Sequence, residues 1–124
     1  MTAAARLAAV SLDSTDPAAL SAFYRELLEL EVFFESEEFV ALRGAGILMT
    51  MQRVDGHRVP SWPTGEVPKQ IHLELAVTDL EQAESKALAV GATKAGTQPN
   101  PDVWRVLIDP AGHPFCITTL IPEV

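Results

Sequence analysis

The chain has 124 residues, 48% of them hydrophobic, which suits one ordinary domain or two very small modules sharing a core and excludes a disordered chain. Nine Lys+Arg against 17 Asp+Glu leave a formal net charge of −8 with the basic residues scattered, which excludes a nucleic-acid or anionic-membrane surface built on clustered positive charge. No apolar run approaches the roughly 18 residues of a membrane span, the apolar part of the opening MTAAARLAAVSLD is read as too short for a signal peptide, and a single cysteine, Cys116, rules out an internal disulfide, so a cytoplasmic domain is expected.

Residues 6–13 (RLAAVSLD) read as a strand. Thr15-Asp16-Pro17 is a helix start, because Asp16 can accept from the first N–H groups and the missing N–H of Pro17 costs nothing there. Leu20, Phe23, Tyr24, Leu27 and Leu28 then recur at i, i+3, i+4 spacing and give that helix one apolar face. Residues 31–35 and 38–43 read as short strands, Gly44-Ala45-Gly46 as a turn, and 47–54 as another strand. Residues 55–70 (DGHRVPSWPTGEVPKQ) hold three prolines and two glycines without a period and form a loop. The plan then restarts. Residues 71–77 (IHLELAV) alternate as a strand, Asp79 opens a second helix that runs to about Val90, and Gly91 ends it. Residues 92–98, 103–109 and 114–120 read as strands, the last two joined by the turn Asp109-Pro110-Ala111-Gly112.

Both halves thus read strand, helix, then three strands. Aligning Asp16 with Asp79 brings Leu12 onto Leu75, Val10 onto Leu73 and Ala9 onto His72. The fold class predicted is α+β: two tandem βαβββ modules (5–54 and 71–121, joined by the loop 55–70) forming a curved mixed sheet around a concave cavity, with helices on the convex face.

The segments Leu12-Asp13, Asp16-Pro17, Phe23-Tyr24, Leu27-Leu28, His72-Leu73-Glu74-Leu75-Ala76-Val77, Asp79-Leu80, Gly91-Ala92 and Asp109-Pro110-Ala111-Gly112-His113-Pro114-Phe115 resemble the vicinal-oxygen-chelate superfamily of glyoxalases, ring-cleaving dioxygenases, fosfomycin-resistance and bleomycin-resistance proteins. Gln52-Arg53-Val54 and Trp62-Pro63 point within it to the small glyoxalase-like group. The resemblance covers nearly the whole chain as a single domain. It implies a cavity often completed by a second chain, hence a homodimer, and in the metalloenzymes a divalent ion held by one side chain from each of four strands. Those positions fall here on Ala9, Gln52, His72 and Cys116. Ala9 cannot ligate, Gln52 offers at best a neutral oxygen, and Cys116 offers a soft thiolate where a hard carboxylate is the rule. No cofactor is therefore expected.

Alternation puts His72 and Glu74 on the strand face opposite the aliphatic Leu73 and Leu75, so both should face the concavity. His72 then reads either as a ligand contact or general base tuned by Glu74, or as a relic that satisfies a neighbouring strand. Asp13 should face the cavity from the equivalent strand, and each buried carboxylate needs a partner, for which Arg53, Arg105 and His72 are candidates. Trp62 and Trp104 are the only tryptophans. Trp62, in the loop, reads as a lid or a dimer contact, and Trp104 as pocket wall; Met49, Met51, Phe33, Phe34 and Phe39 read as pocket lining or as core. His113 reads as a turn residue and Cys116 as a small apolar filler.

Three functions compete. A metal-independent protein of the bleomycin-resistance type would capture a flat, largely apolar aromatic compound, neutral or cationic given the acidic charge, through Asp13, Gln52, Trp62, His72, Glu74, Trp104 and Cys116. An enzyme of the glyoxalase or dioxygenase kind would use His72 and Glu74 as catalytic acid and base, with or without a metal. A partner domain would fill the cavity with its own side chains. The first is the favoured expectation.

Overall fold

The computed structural model describes residues 3–122. The chain divides into two compact units between His57 and Arg58. The first holds β1 (Ala9–Ser14), α1 (Pro17–Leu28), β2 (Glu31–Glu35), β3 (Phe39–Arg43) and β4 (Leu48–Arg53). The second repeats the order with β5 (Leu73–Ala76), α2 (Leu80–Ala89), β6 (Thr93–Lys94), β7 (Trp104–Ile108) and β8 (Pro114–Thr118). Each unit is a four-stranded mixed sheet with the same strand order, β1-β4-β3-β2 and β5-β8-β7-β6. The α+β, tandem βαβββ expectation holds. Among the described residues no helix is long and apolar enough to cross a membrane.

The helix starts are built alike. Asp16 accepts from the Ala19 N–H and Asp79 from the Gln82 N–H, both at 3.1 Å. The ends differ. Beyond α2, Gly91 takes φ 124°, its N–H reaches the Leu88 carbonyl, and the Ala92 N–H reaches the Ala87 carbonyl at 2.9 Å, a glycine-closed end as predicted. α1 closes instead on Glu29, a non-glycine residue at φ 55°.

Cross-strand register sorts the faces. In the first unit Leu12, Val40, Leu42, Met49 and Met51 share one face and are buried beneath α1, which settles Met49 and Met51 as core. Phe33 and Phe34 are both largely exposed, because the β2–β3 register shifts between Val32 and Phe34 and breaks the alternation that would bury one of them. In the second unit Leu73, Leu75, Leu107, Phe115 and Ile117 form the corresponding face, with α2 packed on β8.

Several predicted strands are shorter than the pattern suggests, and β5 keeps only Leu73–Ala76 of 71–77, so that His72 lies just before it. β1 starts three residues late, at Ala9. The strand expected over 92–98 keeps only Thr93 and Lys94, because Gln98 pairs through its side chain rather than its backbone: Oε1 accepts the Val106 N–H and Nε2 donates to the Val106 carbonyl. The loop over 55–70 is irregular as predicted but is tied shut between Ser61 and Val67 by the Ser61 N–H to the Val67 carbonyl and the Val67 N–H to Ser61 Oγ. Gly65 (φ 134°) permits this closure, since a Cβ there would collide with the Ser61 side chain.

Candidate functional site

The second sheet turns its other face to an open cavity of about 320 Å³. Alternation supplies the lining: Glu74 pairs with Cys116 and Cys116 with Val106, while Thr118 pairs with Trp104, all on the face opposite α2. Trp62 reaches the same cavity from the loop and packs, with Trp104, on the small cluster Ala95, Val106 and Cys116. The walls are thus indole and aliphatic, and the polar groups gather at one place.

That place is a chain of three side chains. Lys69 Nζ lies 3.2 Å from His72 Nδ1, and His72 Nε2 lies 2.7 Å from Glu74 Oε1. A lysine ammonium can only donate, so Nδ1 accepts and the ring proton sits on Nε2, aimed at the carboxylate. Glu74 thus pairs with His72, but with its side chain 45% exposed it is not the buried carboxylate that was expected. The arginines do not serve it. Arg105 falls on the opposite face of β7 and reaches Glu81 (2.8 Å) and Glu84 (3.5 Å) on α2, which raises its pKa through the hydrogen bond to Glu81 and lowers that of Glu81 in turn. Arg53 pairs with Asp55 at 2.9 Å and Glu38 at 3.5 Å.

Cys116 lies under this chain, buried, and burial followed by the nearby Glu74 charge pushes its thiol up to about 11. The donor atoms of His72, Glu74 and Cys116 all lie within 4.8 Å of one another. Proximity makes them a candidate metal cluster, but their chemistry does not fit a hard divalent ion. The thiol is a soft donor, both imidazole nitrogens are committed, and the Lys69 ammonium already stands against the ring. In the first unit the register partners at the equivalent place are Ser11 and Thr50, because Ser11–Thr50 corresponds to Glu74–Cys116. The equivalent of Cys116 is thus Thr50, two residues from the predicted Gln52, and Ala9 brings no donor.

The remaining predicted residues are distributed as follows. His72, Glu74, Trp62, Trp104 and Cys116 come together at the second-unit cavity. Asp13 and Gln52 are register partners on β1 and β4 of the first unit, both exposed. His113 belongs to the turn: its N–H and that of Ala111 donate to the buried Asp109 Oδ1, at 3.0 and 2.9 Å. Sequence reasoning missed Lys69, hidden in the proline-rich loop although it stands three residues before His72. It also missed Val106 and Thr118, which alternation from Trp104 and Cys116 points to.

A family model for a glyoxalase-like domain matches residues 9–118. No curated protein matches the chain by sequence. Among solved structures, a glyoxalase/bleomycin resistance protein/dioxygenase family enzyme from Burkholderia phytofirmans PsJN superposes with a TM-score of 0.71 at 20% identity, covering 94% of this chain and 100% of that one. The bleomycin-binding protein of Streptomyces verticillus, complexed with copper(II)-bleomycin, gives a TM-score of 0.62 at 19% identity over 94% and 98% of the two chains. A mutant fosfomycin resistance protein from Listeria monocytogenes, complexed with Mn(II) and 1S,2S-dihydroxypropylphosphonic acid, gives 0.67 at 13% identity over 95% and 91%. At these identities the likeness is one of fold.

Proposed function

This chain belongs to the glyoxalase-like domain family, and from that premise we propose that it is a metal-independent binding protein that captures a flat, largely apolar aromatic compound. One observation carries the reading: both tryptophans line a cavity of about 320 Å³, a volume suited to a small aromatic ligand. Capture needs apolar walls and a few fixed polar groups. The polar chain Lys69–His72–Glu74 supplies orientation, and the donor set argues against a resident hard metal. The bleomycin-binding relative offers precedent on this fold for holding a small molecule. The resemblance adds a homodimer and a cytoplasmic setting to the reading.

The test uses N-phenyl-1-naphthylamine, a neutral aromatic fluorophore. Because Trp62 and Trp104 both line the cavity, saturable quenching of intrinsic fluorescence by transfer to the dye, weakened by Trp104→Ala, is the expected result. No saturable signal from the folded protein overturns the proposal. Native mass spectrometry of the same sample reads subunit number and any carried metal or organic molecule.

A second reading is favoured by one distance. The His72–Glu74 pair at 2.7 Å, facing a cavity, has the geometry of an acid–base dyad, as a lyase or isomerase would need. Lactoylglutathione-lyase assays with and without added Mn(II), comparing wild type with His72→Gln, decide it: turnover lost in the variant makes this protein an enzyme.

A further inference from the structure

The geometry points to Lys69 as the group that selects the ligand: the cavity takes an aromatic compound carrying an anionic oxygen (a carboxylate, phenolate or sulfonate), with that oxygen on the Lys69 ammonium. This rests on the binding reading above and names its ligand class.

Lys69 is half-buried at the cavity wall and is the only Lys or Arg among the residues lining it. An ammonium has three N–H donors. One is spent on His72 Nδ1, and the structure gives Lys69 no further partner and no ion pair among the described residues. Two donors and a positive charge are left in a cavity that both tryptophans line. An ammonium so placed offers those donors to a ligand, and an oxygen anion takes them by charge-assisted hydrogen bonds.

Glu74 lines the same cavity and has to be reckoned with, because a bare carboxylate would repel an anion. It is not bare. Its Oε1 accepts a hydrogen bond from the His72 Nε2–H, and the imidazole separates it from Lys69 by the width of a ring and two hydrogen bonds of 3.2 and 2.7 Å. The three side chains together carry no net charge, positive at the lysine end and negative at the other. An elongated aromatic anion that places its oxygen at the lysine end therefore keeps the ring's width between itself and Glu74. The ligand preference suggested by the net charge of −8 is thereby reversed at the site itself.

The experiment compares two dyes with one skeleton: 1-anilinonaphthalene-8-sulfonate and its neutral parent N-phenyl-1-naphthylamine. Wild-type protein at low salt is expected to bind the sulfonate roughly tenfold or more tightly than the parent, the effect of one charge-assisted contact. Lys69→Gln removes the difference by weakening the sulfonate alone, and Lys69→Arg keeps it. Equal affinities in wild type, or a preference that survives Lys69→Gln, overturns the assignment while leaving the cavity as a binding site. Binding of neither dye overturns the cavity reading and this assignment with it. The wild-type comparison stands whether or not a variant folds.

Discussion

Gln98 stands beside Val106 as a neighbouring strand would: its Oε1 accepts the Val106 N–H at 2.9 Å, and its Nε2 donates to the carbonyls of Val106 at 2.8 Å and Ala95 at 3.0 Å. One side chain thus finishes the outer edge of β7 where β6 stops, and holds the strand that presents Trp104 and Val106 to the cavity. Gln98→Ala strips partners from a buried backbone position and should cost about 1–3 kcal/mol, a drop of several degrees in thermal melting. Gln98→Glu retains the acceptor but loses the donor, so it should also melt below wild type. Melting unchanged in both variants would show the edge to be stable without it.

Gly112, at φ 89°, lies under Val59, and a Cβ there would fall within the contact radius of the Val59 side chain. Gly112→Ala should destabilise by about 1–2 kcal/mol from the backbone alone, with a further loss from the collision. Adding Val59→Ala to that variant should recover the second part only. A double-mutant cycle by urea unfolding reads it, and purely additive values would remove Val59 from the account.

The thiol of Cys116 rises from an ordinary 9.0 to about 11 on folding, so the native state holds its proton more tightly than the unfolded chain. Stability is indifferent to this group below about pH 8 and falls as pH climbs from about 9 to 11, by about 1–3 kcal/mol over the window. Urea midpoints at successive pH values should show the extra alkaline slope in wild type and lose it in Cys116→Ala. At pH 8 a thiol reagent should label the unfolded protein and spare the folded one. Equal slopes in the two proteins would refute the shift.

Arg105 ties β7 to α2, and its side chain is only 12% exposed between Glu81 and Glu84. Glu84, itself 14% exposed, also meets Lys94 at 3.3 Å. Removing the arginine leaves a poorly hydrated carboxylate with one cation, so Arg105→Met should lower the melting temperature more than Arg43→Met, whose pair with Glu31 is open to solvent. Glu84→Gln should relieve part of the loss. The reverse ranking would mean that the pair on β7 contributes no more than a surface contact.

The fold was legible because each unit repeats strong local signals: Asp16 and Asp79 as caps, the helical apolar spacing, and the alternation around His72 and Glu74. What escaped was what side chains do in place of backbone. Nothing in the run 92–98 distinguishes a strand from a glutamine that imitates one. The parity that placed Trp104 and Cys116 at the cavity also sends Arg105 to the helix, a step open to sequence reasoning once strand registers are known. Lys69 was hidden for another reason. It has no periodic context, and nothing in a proline-rich loop shows that its side chain will turn to His72, three residues on.

The shared strand order carries a kinetic meaning as well. In each sheet the first strand lies parallel to the last, so Ala9 finds Leu48 and Leu73 finds Phe115, partners about 40 residues apart. The antiparallel neighbours β2, β3 and β4, and β7 with β8, join across short turns. Each unit is thus expected to assemble its hairpins early and to admit β1 or β5 late, after the largest loop-closure cost has been met. β5, which carries Glu74 and follows directly on His72, is in that case a late arrival. Slow refolding should therefore appear first as missing order at β5, with amides of β7 and β8 already protected from exchange.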